Sequence, residues 1–398
     1  MLRLVEIFAA RVAPGIINIV SLLAVADFLL VGQYGQFSLV LASCAAVAAL
    51  STGPIFHAIV PLYAEFSMKG AGNRYDSQIF GALFVAVGSF STLGMGLVSF
   101  GLIELPWLLL YSSLALFTAS QPILRARLQF WRYGMAGLTQ ALITLTLVLW
   151  EVSASPSVPT GIWAYVFGYF AGFVVGWLLC GAPVPRWPDR AMLRSSAGVG
   201  ISFTVSSFSE TALILGVRYS IMLFGNPQLL GLFSLCVDLA QRTVGVVINV
   251  ASFAVVPRAY KSAAQGNSSE FRASLLRGAA VSGGLAAVLF GALAVLDRTG
   301  VVLMNSRGVF SGVAFAAVSF AVVIDRLKKM VLDPLLVHSG RASSIPICYM
   351  IVAPLSIISV AASLRLGHEM PILAIYPATY LGAAALSLVA YLRAPRKT

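Results

Sequence analysis

Five ionisable residues stand deep inside long apolar runs of this chain: Arg11, Glu210, Arg218, Asp238 and Arg242. A charged group within a bilayer costs several kcal/mol unless it is paired or hydrated, so each is a functional candidate. Asp238 and Arg242 are four residues apart, on one face of a helix, and can pair. Such a pair either locks helices together or lines a polar cavity. Glu210 lies in "SSFSETA" (206–212), a patch with Ser206, Ser207, Ser209 and Thr211 around the carboxyl. It is either a hydrogen-bonded structural group or a proton-coupling one. Arg218, two turns further on, can hold an anion or reach towards the interface with its long stem. Arg11, a turn or two into the first run, is either a cavity-mouth cation suited to phosphate or an interface anchor.

Covalent chemistry finds little support in the sequence. There is no phosphate-binding glycine loop, no metal-ligand histidine cluster and no acid pair in an accessible loop. Three histidines (His57, His338, His368) and short loops leave little from which to build a catalytic apparatus. We therefore expect a non-enzyme with no cofactor and no metal. The four cysteines (Cys44, Cys180, Cys236, Cys348) fall in apolar runs without a CxxC pair and read as small core residues.

The elements that must position these charges follow from composition. Apolar residues make up 59% of the 398 residues and charged ones 10%. Apolar runs long enough to cross a bilayer, which takes about 20 residues per helix, recur along the whole chain. The pattern predicts an all-α polytopic membrane protein of about twelve spans: 5–30, 35–62, 77–102, 105–124, 134–153, 160–180, 196–224, 229–257, 273–296, 308–330, 344–364 and 370–392. On this count 20 of the 26 Lys and Arg lie on one side of the membrane. The positive-inside rule makes that side cytoplasmic and puts both termini inside. The net charge of +12 is thus topological, and no nucleic-acid partner is needed to explain it. Trp107, Trp150 and Trp163 fall near outer ends and Trp131 and Trp187 near inner ends, where amphipathic rings prefer to sit.

The stretch "APVPRWPDRAMLR" (182–194) divides the chain. It reads as a cytoplasmic linker, 182–195, between six-helix lobes at 1–181 and 196–398. The lobes repeat: "YGQFSL" (34–39) returns as "LGLFSL" (230–235), and at the same offset "AIVP" (58–61) returns as "AVVP" (254–257). Both copies begin the second span of their half, and the prolines are expected to end those spans. An even number of spans separates the copies, so the halves are predicted to be parallel repeats about a pseudo-two-fold axis along the membrane normal. Gly168, Gly172 and Gly176, spaced by four, predict a close helix–helix approach in span six.

Span one running into "LLVGQYGQFSLVLA" (29–42), with "IVPLYAEF" (59–66) closing span two, carries a resemblance. "FGNPQLLGLFSLCVDLA" (224–240) and "FAVVPRAYK" (253–261) repeat it in the second half. The chain resembles the polysaccharide transporter family, the O-antigen and exopolysaccharide flippases. These belong to the MOP superfamily, which also holds the MATE exporters and lipid II flippases. The resemblance implies a MATE-like fold with a central cavity that opens alternately to either side. It implies as substrate an oligosaccharide on undecaprenyl pyrophosphate, moved across the bacterial inner membrane by a monomer. Membrane lipids and polysaccharide polymerase machinery would be its partners. At the level of spans it implies that Arg11, Arg218 and Arg242 meet the substrate, with Glu210 and Asp238 in coupling or ion pairing. Arginine binds phosphate oxygens bidentately, which suits a pyrophosphate. Three alternatives remain: an organic-cation antiporter of the same fold, a major-facilitator transporter, and a membrane glycan polymerase or ligase. The second lacks its usual basic signature in "AEFSMKGAGNRYDSQ" (64–78), and the third lacks a large outer loop.

Overall fold

The structure, a computed structural model, describes residues 2–68, 72–127, 129–246, 248, 255–256, 259, 262–263, 267–298, 310–341 and 343–393. Twelve long helices lie among them: α1 Leu2–Phe28, α2 Val31–Met68, α3 Gly72–Ser99, α4 Leu105–Ala126, α5 Phe130–Leu147, α6 Val158–Leu179, α7 Arg190–Phe224, α8 Pro227–Arg242, α9 Ser268–Arg298, α10 Phe310–His338, α11 Ser344–Arg365 and α12 Ile372–Leu392. One helix falls at each predicted span. Eight of the described helices, α2 to α6, α8, α11 and α12, are long and apolar enough to cross a membrane. The apolar part of α1, Val12–Phe28, is shorter, while α7 and α10 carry charge along their length. The chain is an all-α, multi-pass membrane protein.

Local sequence explains where the helices start. Asn226 caps α8 by accepting from the Leu229 amide at 2.7 Å, and Ser157 caps α6 by accepting from that of Thr160 at 3.3 Å. A proline follows each cap at the first helical turn, where its missing amide costs nothing. Pro61, expected to end the second span, does not: α2 continues to Met68. A proline can persist within a membrane helix because neighbouring groups satisfy the freed carbonyl. Its counterpart, Pro257, lies outside the described residues.

The chain packs as two compact units, Met1–Leu215 and Gly216–Thr398, with the boundary inside α7. In the first unit α4 packs against α2, α3 and α6, and α6 against α5. In the second, α10 packs against α8, α9 and α12, and α12 against α11. These four neighbour pairs recur six helices later, as parallel repeats lead one to expect. The repeated residues occupy matching places. Phe37 meets Tyr165 of α6 edge-on at 5.3 Å, and Phe233 meets Tyr376 of α12 edge-on at the same separation. Ser38 and Ser234 are buried beside them.

The glycines of α6 make the close approach their spacing predicts. A Cβ on Gly168 would stand 1.9 Å from Thr144 Oγ1, and one on Gly172 2.7 Å from Gln140 Cβ, both on α5. Gln140 also donates to Thr144 on its own helix and accepts from Asn18 of α1 at 3.1 Å, so polar groups tie α1 to α5. All four cysteines are buried and unbridged.

The linker is partly structured. Its extended stretch ends at Asp189, and α7 already begins at Arg190. Gly181 and Ala182 both take positive φ, 89° and 45°, which turns the chain back at the end of α6. The returning strap lies on α3. The Arg186 amide donates to Ser77 O at 2.9 Å, and Asp189 accepts from Arg74 at 3.0 Å and Gln78 at 2.6 Å. Gly81 allows this contact, since a Cβ there would collide with the Arg186 carbonyl.

Candidate substrate-handling site

Helix α7 brings Arg218 beside α8, and the guanidinium donates to Asp238 Oδ1 at 2.8 Å. Arg218 is 2% exposed, whereas Asp238 is partly open. The expected partner of Asp238 was Arg242 on the same helix. The geometry adds one from the neighbouring helix, which sequence spacing alone could not reveal. Taking both charges from water is costly, and the short hydrogen bond offsets that cost only while both partners remain. Arg242 ends α8 and is half-buried. Glu210 is buried in α7, within the first unit. The side chain of Arg11 lies outside the described residues.

A second charged cluster was not anticipated. The positive-inside count takes Arg326, Lys328 and Lys329, at the inner end of span 308–330, as topology signals, and does not single out Asp325 or Asp333. Instead α10 runs unbroken through them to His338. Asp325, 2% exposed, accepts from Lys329 Nζ at 2.9 Å and from the Tyr349 hydroxyl of α11, and lies 3.7 Å from Arg326 Nε. Lys328, 3% exposed, donates to Asp333 at 2.8 Å and sits over the Tyr349 ring at 4.7 Å. A cation over an aromatic face is favourable, more so where water is excluded. The available signal was spacing: Asp325 stands four residues before Lys329, and no glycine or proline interrupts the run from Val313 to Asp333.

In the first unit a buried ion pair sits at helix ends. Arg127, at the C-terminal cap of α4, hydrogen-bonds Asp76 of α3 and donates to Cys180 O at 2.9 Å. Further along α2 and α4 lies a cavity of about 190 Å³, lined by Thr52, His57, Thr118 and Ser207 among alanines and Phe56. His57 is half-buried there, with the Phe56 ring 4.9 Å away edge-on and the Phe203 ring at 6.0 Å. With the three hydroxyls it makes up the polar lining of a mostly apolar hollow.

Buried ion pairs, hydroxyls and a half-buried arginine are spread over two repeated bundles of membrane helices as fixed polar groups. Solved structures of the same fold are known. The chain is similar to an inward-facing multidrug-resistance MATE transporter of the MOP superfamily, with TM-score 0.61 and 13% identity over 97% of this chain and 93% of that one. It is similar to an outward-facing multidrug-resistance MATE transporter of the same superfamily at TM-score 0.62 and 13% identity, covering 98% and 94%. A MOP superfamily transporter from Pyrococcus furiosus, described as having a binding pocket of reversed polarity that suggests a different function, matches at TM-score 0.60 and 14% identity, covering 98% and 93%. No protein-family model matches the chain, and no curated protein matches it. The fold is MATE-like.

Proposed function

We propose that this protein is a flippase for a lipid-linked oligosaccharide. It carries an undecaprenyl-pyrophosphate-linked glycan across the inner membrane for surface polysaccharide synthesis, by alternating access and without covalent chemistry. The charge balance of the second unit carries this reading. Among the described residues of that unit along α7 to α10, the buried and half-buried charges are the cations Arg218, Arg242, Arg326, Lys328 and Lys329 against the carboxylates Asp238, Glu270, Asp325 and Asp333. An excess of cations within membrane helices suits a pyrophosphate, which arginine can grip with two parallel hydrogen bonds. The glycan would cross among polar groups while its lipid tail stays in the bilayer. Arg242, half-buried, and Arg11 are the proposed substrate contacts. Arg218 acts with them through Asp238, the group it holds. Glu210 and Asp238 are the candidates for ion coupling.

An organic-cation antiporter is the second reading, supported by the multidrug transporters among the structural neighbours. The Pyrococcus furiosus protein weakens the step from fold to cationic substrate, because its pocket polarity is described as reversed.

Complementation separates the two. In a strain lacking the gene, Arg242→Ala should abolish surface polymer while the protein accumulates at the wild-type level. If Arg11→Ala and Arg242→Ala both export normally, the cationic contact is wrong. If the deletion itself leaves surface polysaccharide unchanged, the flippase reading falls and drug-export assays decide for the antiporter.

A further inference from the structure

The junction of α5 and α6 carries a cavity unrelated to the charged helices. After Leu147 the helix widens into a π turn, Val148–Val152, which places Glu151 at its rim. π turns are rare and occur often at functional sites. The cavity, about 260 Å³, is lined by Leu147, Glu151, Thr160, Trp163, Ala164 and Phe167. Trp163 and Phe167 stack, with ring centroids 5.7 Å apart and planes 27° apart. The Thr160 hydroxyl is already engaged by Ser157 at 2.6 Å. Among the described residues, no cationic side chain pairs with Glu151.

The surroundings define what could complete this site. Leu149, Trp150, Phe167 and Phe170 expose apolar surface on the same helices, as lipid-facing side chains do. Just beyond them Ser153, Ser155 and Pro156 are exposed, which marks the edge of the apolar belt. A carboxylate and an indole lining one hollow, beside the edge of the apolar belt, match one chemistry: an alkylammonium group, held by charge and by the ring quadrupole. We propose that this cavity binds the ammonium of a zwitterionic phospholipid headgroup, in the leaflet opposite the cytoplasmic linker. The site is independent of the transported substrate.

Native mass spectrometry of the full-length protein, reconstituted with equal amounts of phosphatidylethanolamine and phosphatidylethanol, tests this. The two lipids share phosphate and acyl chains and differ in the ammonium. The wild type should retain phosphatidylethanolamine about threefold to tenfold better, the range expected of one screened ion pair with a cation–π contact. Glu151→Gln should remove that preference, Trp163→Leu should remove it, and Trp163→Phe should keep most of it. If Glu151→Gln does not accumulate, the two Trp163 variants decide by the same criterion. Displacement by millimolar tetramethylammonium would extend the site to soluble ammonium ions, and failure to displace would assign it to the lipid alone. Equal retention of the two lipids by the wild type, or a preference that survives both Glu151→Gln and Trp163→Leu, would overturn the proposal.

Discussion

Helices α4 and α10 hold the same place among their neighbours, yet they are built differently. In the first unit α4 is buried through Leu110, Leu114, Ala115, Ala119 and Ile123, and its charges, Arg125 and the capping Arg127, wait at the end. In the second, α10 begins in the same manner with Ala314, Val318 and Ala321, then carries Asp325 and Lys328 into the interior. Apolar contact is non-directional, so α4 needs only shape and volume. A buried ion pair is short-ranged and directional, and each partner left alone is costly. The repeat therefore preserves packing while charge is distributed unequally between α4 and α10.

Asp325→Ala should break this comparison most severely, since it leaves Lys329, Arg326 and the Tyr349 hydroxyl without their shared acceptor. The expected loss is about 3–5 kcal/mol. Leu114→Ala in α4 should cost about 2–5 kcal/mol through an apolar cavity. Denaturation in detergent micelles measures both. The charge argument fails if the Asp325 variant unfolds no more easily than wild type.

Arg218 and Asp238 give the next largest effect. Either single change, Arg218→Met or Asp238→Leu, should destabilise strongly, while the double variant recovers part of the loss. Their coupling should lie between about 0.5 and 3 kcal/mol in a double-mutant cycle. Strict additivity would remove the pair from the argument.

The repeat itself is tested more gently. Phe37→Leu and Phe233→Leu each forfeit one edge-to-face contact with tyrosine, worth about 0.5–1.5 kcal/mol beyond the area buried. The two losses should agree within about 0.5 kcal/mol, and a large disparity would mean that the aromatic pairs are not equivalent. Smallest of all, Arg74→Ala removes an exposed ion pair from the strap and should cost less than about 1 kcal/mol. Limited proteolysis between Pro183 and Trp187 would report the loosened strap before stability changed.

Much of the architecture was legible because it rests on local and one-dimensional signals. Hydropathy located all twelve helices, since a helix that meets lipid is apolar over most of its length. The spacing of Gly168, Gly172 and Gly176 announced a close approach, because residues four apart share a face. The identity of "GxFSL" in both halves pointed to the repeat, which Phe37 and Phe233 then realise against Tyr165 and Tyr376.

The charged residues were less legible, for a different reason. The sequence by itself determined that this is a multi-pass helical protein with a repeated plan and a few ionisable groups at membrane depth. Only the tertiary structure decided which charge answers which. Arg218 and Asp238 lie twenty residues apart on different helices, and Tyr349 reaches Asp325 from α11 across a loop. Hydropathy averages over a window, and a run such as "IDRLKKM" then reads only as the charged inner end of a span. Whether such a run is solvated or buried depends on what packs against it, and that is settled only when neighbouring helices close around the charges and supply their partners.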